Sequence, residues 1–167
     1  MLRHDKNYTF HPKGWREIKD LTDNFGYSLD ELMDIVRKDK KGRYEFNEDV
    51  SQIRALYGHS VDVFPDLQIE VPPASLFHGT SKDCIEGIMR EGIKPRSRKY
   101  VHLSESVSIA EEVGKRHGNP VVFIVDCKRM YDDGIVFYIS GNKSVWLCDE
   151  VLPKYLTLMT NRYDYKR

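Results

Sequence analysis

No stretch of this chain approaches the roughly 18 consecutive apolar residues that a membrane-spanning helix needs, so no span and no membrane partner are expected. The N-terminal "MLRHDKNYTF" lacks the apolar core of a secretory leader, and the expected compartment is the cytoplasm. Cysteine is scarce. Cys84, Cys127 and Cys148 form no CxxC pair and no zinc-ligand spacing, and three is an odd number for a disulfide framework. They read as buried free thiols, and no metal site is expected. Net charge is missing as well, because 26 Lys and Arg balance 26 Asp and Glu. A polyanion must therefore be gripped by a local basic site and not by the field of the whole molecule. Absent too are a GxxxxGKS/T phosphate loop, a GxGxxG fingerprint, HExxH and GxSxG, which removes the enzyme classes built on them. Internal repeats and low-complexity segments are also lacking.

What is present is ordinary globular composition, 40% hydrophobic and 31% charged over 167 residues, enough for one domain or two small lobes. The first 60 or so residues read as short helices with a small hairpin. "SLDELMDIVRKD" opens with Ser28 three residues before Glu31, a capping box, and carries Leu29, Leu32, Met33 and Val36 at helical spacing. "KKGRYEF" reads as a glycine turn entering an extended segment. "NEDVSQIRALYG" reads as a second helix, with Asn47 as cap, Val50, Ile53 and Leu56 as its stripe and Gly58 as its stop. Helix, turn, strand and helix in this order suit a winged-helix-like module. "DVFPDLQIEVPPASL" holds period-two stretches broken by prolines, and Pro72-Pro73 marks the expected boundary between lobes.

Beyond it, "SLFHGT" and "YVHLS" read as strands and "SKDCIEGIMREG" as a helix ending at Gly92. "SVSIAEEVGKRHG" reads as a helix capped by Ser108 with Glu111 three positions on, and "PVVFIVDC" and "GIVFYIS" as buried strands. The terminal "NRYDYKR" is expected to fray.

The residues with chemical capacity are arginines and histidines spread over both halves: Arg3-His4, Arg54 with His59, His78, and Arg98 with His102. Arg54, placed in the last turn of the expected helix, reads from periodicity first as a solvated arginine and second as one aimed into a cleft. His78 stands at a strand end before Gly79 and Thr80; there glycine permits close backbone approach and threonine offers a hydroxyl and a cap, as at a pyrophosphate or ribose site. A satisfied core histidine fits the same pattern. His102 alternates with Val101 and Leu103 and shares its face with Ser104; that face can meet a sugar edge or simply solvent. "RKDKKGR", Arg37 to Arg43, sets five basic residues against one aspartate at the expected wing, as a solvated turn or an RNA-backbone contact.

"LRH", "IRALYGHS", "FHGT", "GIKPRSRKYVHLS", "VGKRHGNPVVFIVD" and "VWL" appear in the order and spacing of the motifs of the RNA 2′-phosphotransferase family, which this chain resembles over nearly its whole length. The resemblance implies an α+β protein, with an N-terminal winged-helix-like RNA lobe (1–70) and a C-terminal ADP-ribosyltransferase-like NAD-binding lobe (71–167). It implies removal of an internal RNA 2′-phosphate of the tRNA splice-junction type, with NAD consumed and no metal needed. In the implied first step the 2′-phosphate attacks C1″ of the nicotinamide ribose and expels nicotinamide. In the second, O2″ attacks phosphorus, releasing 2′-hydroxyl RNA and ADP-ribose 1″,2″-cyclic phosphate.

Residue by residue, the family's catalytic set matches Arg3, His4, Arg54 and Arg98. Arg3, His4 and Arg54 would hold the RNA phosphate, and Arg98 would stabilise the phosphoryl-transfer step. On the NAD side the match is to His78, Gly79 and Thr80 and to His102. Val145 falls where protein-modifying relatives carry a glutamate, and Gly92, Ile93, Ser104 and Phe137 are expected pocket wall. Tyr57 departs from the family pattern, which has a polar residue there. A monomer acting on tRNA-like RNA is the expected form. The competing expectations are an ADP-ribosyltransferase that modifies terminal phosphates of RNA or DNA, and a non-catalytic winged-helix RNA binder.

Overall fold

The computed structural model describes residues 1–61, 63, 67–141 and 143–159. The terminal "NRYDYKR" lies outside them. The chain separates into two compact units, each taken by itself below. The first comprises 1–68 with 97–99 and 140–144, and the second 69–96, 100–139 and the chain from 145 onward. Helix and sheet are mixed in the α+β manner.

In the first unit the order is β1 (Arg16–Glu17), α1 (Ile18–Phe25), α2 (Leu29–Lys38), β2 (Tyr44–Phe46) and β3 (Gln52–Ala55). The three strands form an antiparallel sheet in the order β1-β3-β2, with Arg16 opposite Ile53 and Glu45 opposite Arg54. Helix α2 starts where the sequence predicts. Ser28 accepts from the Glu31 N–H while the Glu31 carboxylate takes the Ser28 N–H at 2.8 Å, an arrangement that stabilises a helix start by about 1 kcal/mol. Gly26, at φ 72°, closes α1, and Leu21, Leu32, Ile18 and Ile53 form the small core.

The expected helix over 47–58 is a hairpin instead. The Asn47 side-chain oxygen accepts from the Gln52 N–H at 2.9 Å, the Asn47 N–H reaches the Gln52 carbonyl at 3.1 Å, and Val50 turns at φ 58°. The signal misled because β3 is the central strand. Ile53, Arg54 and Ala55 are all buried, which erases the period-two alternation, and a chance spacing of three remained. The basic run 37–43 accordingly extends from the last turn of α2 to the residue before β2 and is not in the β2–β3 hairpin. Arg37 and Lys38 pair with Asp34, and Arg43 with Asp39.

The remaining elements are β4 (Gln68–Ile69), β5 (Ser75–Ser81), α3 (Ile85–Glu91), β6 (Val101–Leu103), α4 (Val107–Gly114), β7 (Pro120–Asp126), α5 (Cys127–Asp132), β8 (Tyr138–Ile139), β9 (Trp146–Cys148) and β10 (Leu156–Leu158). One sheet runs β10-β7-β5, and another β4-β8-β9-β6. The β-branched run of β7 pairs over seven residues with β5, from Ser75 opposite Asp126 to Ser81 opposite Pro120. Leu76, Phe123, Val125, Met130, Phe137, Trp146 and Val151 form the core of this unit.

Three local expectations are corrected here. Helix α4 begins at Val107 after Ser106, whose hydroxyl bonds to Ser108 and makes no cap; Ser108 is inside the helix. His78 is inside β5 and not at its end, and Thr80 continues the strand, so it caps no helix. "GIVFYIS" contributes only the two residues of β8. All three cysteines are free thiols; Cys127 and Cys148 are buried and Cys84 is half-buried. Among the described residues no helix is long and apolar enough to cross a membrane.

Candidate active site

In the first unit, three separate stretches, Arg3-His4, β3 and the segment holding Arg98, bring cationic side chains around the loop Gly58–Ser60. The Ser60 N–H donates to the Arg3 carbonyl at 2.9 Å, and the His4 Nδ1 lies 2.8 Å from the Ser60 hydroxyl. Gly58 sits at φ 81°, and a Cβ there would stand 3.1 Å from the Arg3 guanidinium nitrogen and 4.0 Å from Cζ of Arg98. The bare glycine thus leaves space that two arginine heads use.

Arg54 enters from β3 and is 7% exposed. Its Nε donates to Glu45 Oε1 at 2.7 Å, its guanidinium lies 4.4 Å over the Trp15 ring, and a terminal nitrogen reaches the Lys13 carbonyl at 3.4 Å. A planar cation held by an aromatic floor and a cross-strand carboxylate is fixed in orientation before any ligand arrives. Arg3, half-buried, lies 6.0 Å over Tyr44, whereas His4 and Arg98 are exposed.

Electrostatics marks the same convergence. Partial burial, then the charges of Arg3, of the N-terminal amine and of Arg98, lower the pKa of His4. His59 is 4% exposed, and burial followed by the charges of Arg3, His4 and Arg54 pushes it down to about 4. Its Nε2 has no hydrogen-bond partner among the described residues and faces Gly14. A cluster that disfavours further positive charge is one that favours an anion.

The second unit holds the residues expected on the NAD side. Phe77 and Ser104 exchange backbone hydrogen bonds at 2.8 and 2.9 Å, which ties β5 to the end of β6 and brings His78 beside His102. The His78 Nδ1 lies 3.1 Å from the His102 carbonyl, and the His102 Nδ1 lies 3.0 Å from the Tyr100 carbonyl. A carbonyl only accepts, so each Nδ1 carries the proton. Burial lowers the pKa of His78 and keeps it neutral, with Nε2 as an acceptor. An acceptor nitrogen of this kind can take the proton of a hydroxyl group.

Val145, half-buried, precedes Trp146, which pairs with Leu103 beside Ser104. The other expected residues have packing roles. The missing Cβ of Gly79 accommodates α4, because it would stand 1.6 Å from the Ala110 carbonyl oxygen, and Thr80 is buried beside it. Gly92, at φ 83°, ends α3 under the Val151 carbonyl, Ile93 is bridged to Val151, and Phe137 is fully buried in the core.

Trp15, Glu45 and Ser60 escaped the reading of the sequence. Trp15, a lone tryptophan in the polar run "HPKGWRE", was the available signal; Glu45 becomes visible only once β2 is paired with β3.

A family model described as RNA 2'-phosphotransferase, Tpt1 / KptA family, matches residues 1–150. The chain is 40% identical over 153 residues to a probable RNA 2'-phosphotransferase of Trichormus variabilis, covering 89% of this chain and 84% of that protein. It is 44% identical over 151 residues to one of Agrobacterium fabrum (87% and 81% covered) and 38% identical over 167 residues to one of Hahella chejuensis (95% and 89% covered).

Proposed function

Because this chain belongs to the RNA 2'-phosphotransferase, Tpt1 / KptA family and is a transferase of that type, we propose that it removes an internal RNA 2′-phosphate of the splice-junction kind at the expense of NAD. One observation carries this reading: Arg3, His4, Arg54 and Arg98 meet around Gly58–Ser60 within one unit. A 2′-phosphate monoester carries nearly two negative charges at pH 7, and guanidinium groups answer it with charge-assisted hydrogen bonds of roughly 1.5–3 kcal/mol each.

Arg3 and Arg54 hold the phosphate, with His4 at its edge. A bound dianion raises the pKa of His4 from its lowered value, so holding phosphate favours the protonated imidazole, which can pass a proton to the departing RNA oxygen. Arg98 takes up negative charge during phosphoryl transfer. His78 and His102 receive the riboses, with Ser104 beside them and apolar Val145 where an ionised phosphate needs no activating base. NAD supplies the electrophilic carbon C1″ and nicotinamide as the leaving group. The β1-β3-β2 order with two helices between β1 and β2 supports a winged-helix-like reading of the first unit. The two antiparallel sheets around β5 and β6 support an ADP-ribosyltransferase-like reading of the second.

The test is an oligoribonucleotide with one radiolabelled internal 2′-phosphate, incubated with protein and NAD without added metal. NAD-dependent transfer of label to ADP-ribose cyclic phosphate is expected. Label unchanged on the RNA contradicts the proposal, and a stable ADP-ribosyl adduct on a terminal phosphate replaces it with the terminal-phosphate activity.

A further inference from the structure

Arg16 is 2% exposed, the largest fully buried side chain among the described residues, and it is a cation. Its terminal nitrogen donates to Asp5 Oδ2 at 2.8 Å, its Nε to Asp20 Oδ2 at 2.7 Å, and its Cζ lies 4.0 Å over the Tyr8 ring and 4.9 Å over Phe25. Burying the cation of an ion pair so completely is weak support for stability, since desolvation offsets the attraction to partly exposed Asp5 and Asp20; its best-attested use is to impose one arrangement on the groups it joins. The groups joined here are specific. Asp5 directly follows Arg3 and His4 in a segment without helix or strand, and the Arg16 backbone pairs with Ile53, the neighbour of Arg54. Trp15, on the other side of Arg16, is the floor under Arg54, and the Glu17 N–H lies 3.3 Å from the Tyr8 hydroxyl.

We infer that Arg16 is a positioning residue: through Asp5 it clamps the irregular segment bearing Arg3 and His4 against the strand that carries Arg54, and so sets the spacing of the groups that grip the RNA phosphate. This rests on the proposed assignment of Arg3 and His4 to that phosphate. Only arginine has the fork to serve Asp5 and Asp20 at once; a lysine keeps the charge and loses the bridge.

The variants are Arg16→Lys and, because a buried cation tolerates change poorly, Asp5→Asn, which alters a half-buried residue without changing its shape. The readouts are KM for the 2′-phosphorylated oligoribonucleotide, the dissociation constant for NAD by calorimetry, and the His4 imidazole titration by NMR. Both variants should raise the RNA KM about tenfold or more and leave NAD affinity within twofold. In both, His4 should titrate higher as the loosened segment gains solvent and moves away from Arg98. In Asp5→Asn, loss of the carboxylate alone would move His4 the opposite way, so an upward shift reports loosening. Unchanged His4 titration in Arg16→Lys overturns the clamp whatever the kinetics. Parallel losses in RNA and NAD binding reduce Arg16 to a structural role and overturn it too. Looser His4 with unchanged RNA kinetics instead overturns the assignment of Arg3 and His4 to phosphate.

Discussion

The two units prepare their candidate sites by different means. In the first, charged side chains from three stretches of chain converge, and their positions depend on other side chains: Glu45 and Trp15 for Arg54, Ser60 for His4. In the second, His78 and His102 come from two adjoining strands, and their Nδ1 atoms are tied to backbone carbonyls. Each histidine's strand is held in register by its own ladder, β5 on β7 and β6 on β9, whereas a cluster of like charges repels itself and holds only where counter-charge and packing are supplied. A single side-chain change should therefore disturb the first site more than the second.

The sharpest way to break this comparison is to cross the two sites. Arg54→Ala removes about two charge-assisted hydrogen bonds, and at roughly 1.5–3 kcal/mol each the loss in kcat/KM for 2′-phosphorylated RNA should be about a thousandfold, with NAD affinity unchanged. His78→Ala, which removes one neutral acceptor, should raise the NAD dissociation constant about tenfold and leave RNA binding alone. Calorimetry with each ligand reads both arms; a variant that weakens both ligands equally would dissolve the distinction.

A smaller effect concerns acid. In the unfolded chain His59 takes up a proton near 6.5, but buried beside Arg3, His4 and Arg54 it does so only near 4. Between those values the unfolded state binds more protons, so stability is intact above about pH 6.5 and falls as pH drops toward 4, by at most about 3 kcal/mol. Urea unfolding of wild type and His59→Asn at pH 7 and 4.5, followed by a probe in the first unit, should show a smaller acid loss in the variant. Equal losses would remove His59 as the cause.

The smallest effect belongs to the second unit. Burial pushes the Cys127 and Cys148 thiols up to about 12, whereas hydrogen bonding from Ser81, and Arg96 nearby, lower that of half-buried Cys84. Iodoacetamide at pH 7.5 should label Cys84 at least about tenfold faster than the other two, as mass spectrometry of the folded protein would report. Uniform labelling would mean that the core opens readily.

Much was legible locally. The capping box of Ser28 and Glu31, the strand "SLFHGT", the β-branched run of β7 and the ordered motifs that place the chain in its family are properties of near neighbours in sequence, where helix caps, alternation and motif spacing act. The environment of Arg54 was not legible. Its strand is covered on both faces, so burial leaves no period to read, and its partners Glu45 and Trp15 become neighbours only through the β2–β3 register and the turn before β1. Gly79 teaches the same lesson. A glycine beside a histidine reads as room for a ligand, but the atom that needs the room is the Ala110 carbonyl, brought there by α4. The sequence by itself determined which residues carry charge, caps and strand propensity, because these are local. Only the tertiary structure decided which of them touch, because a cross-strand register or a helix laid on a sheet is settled by the joint packing of segments distant in the chain.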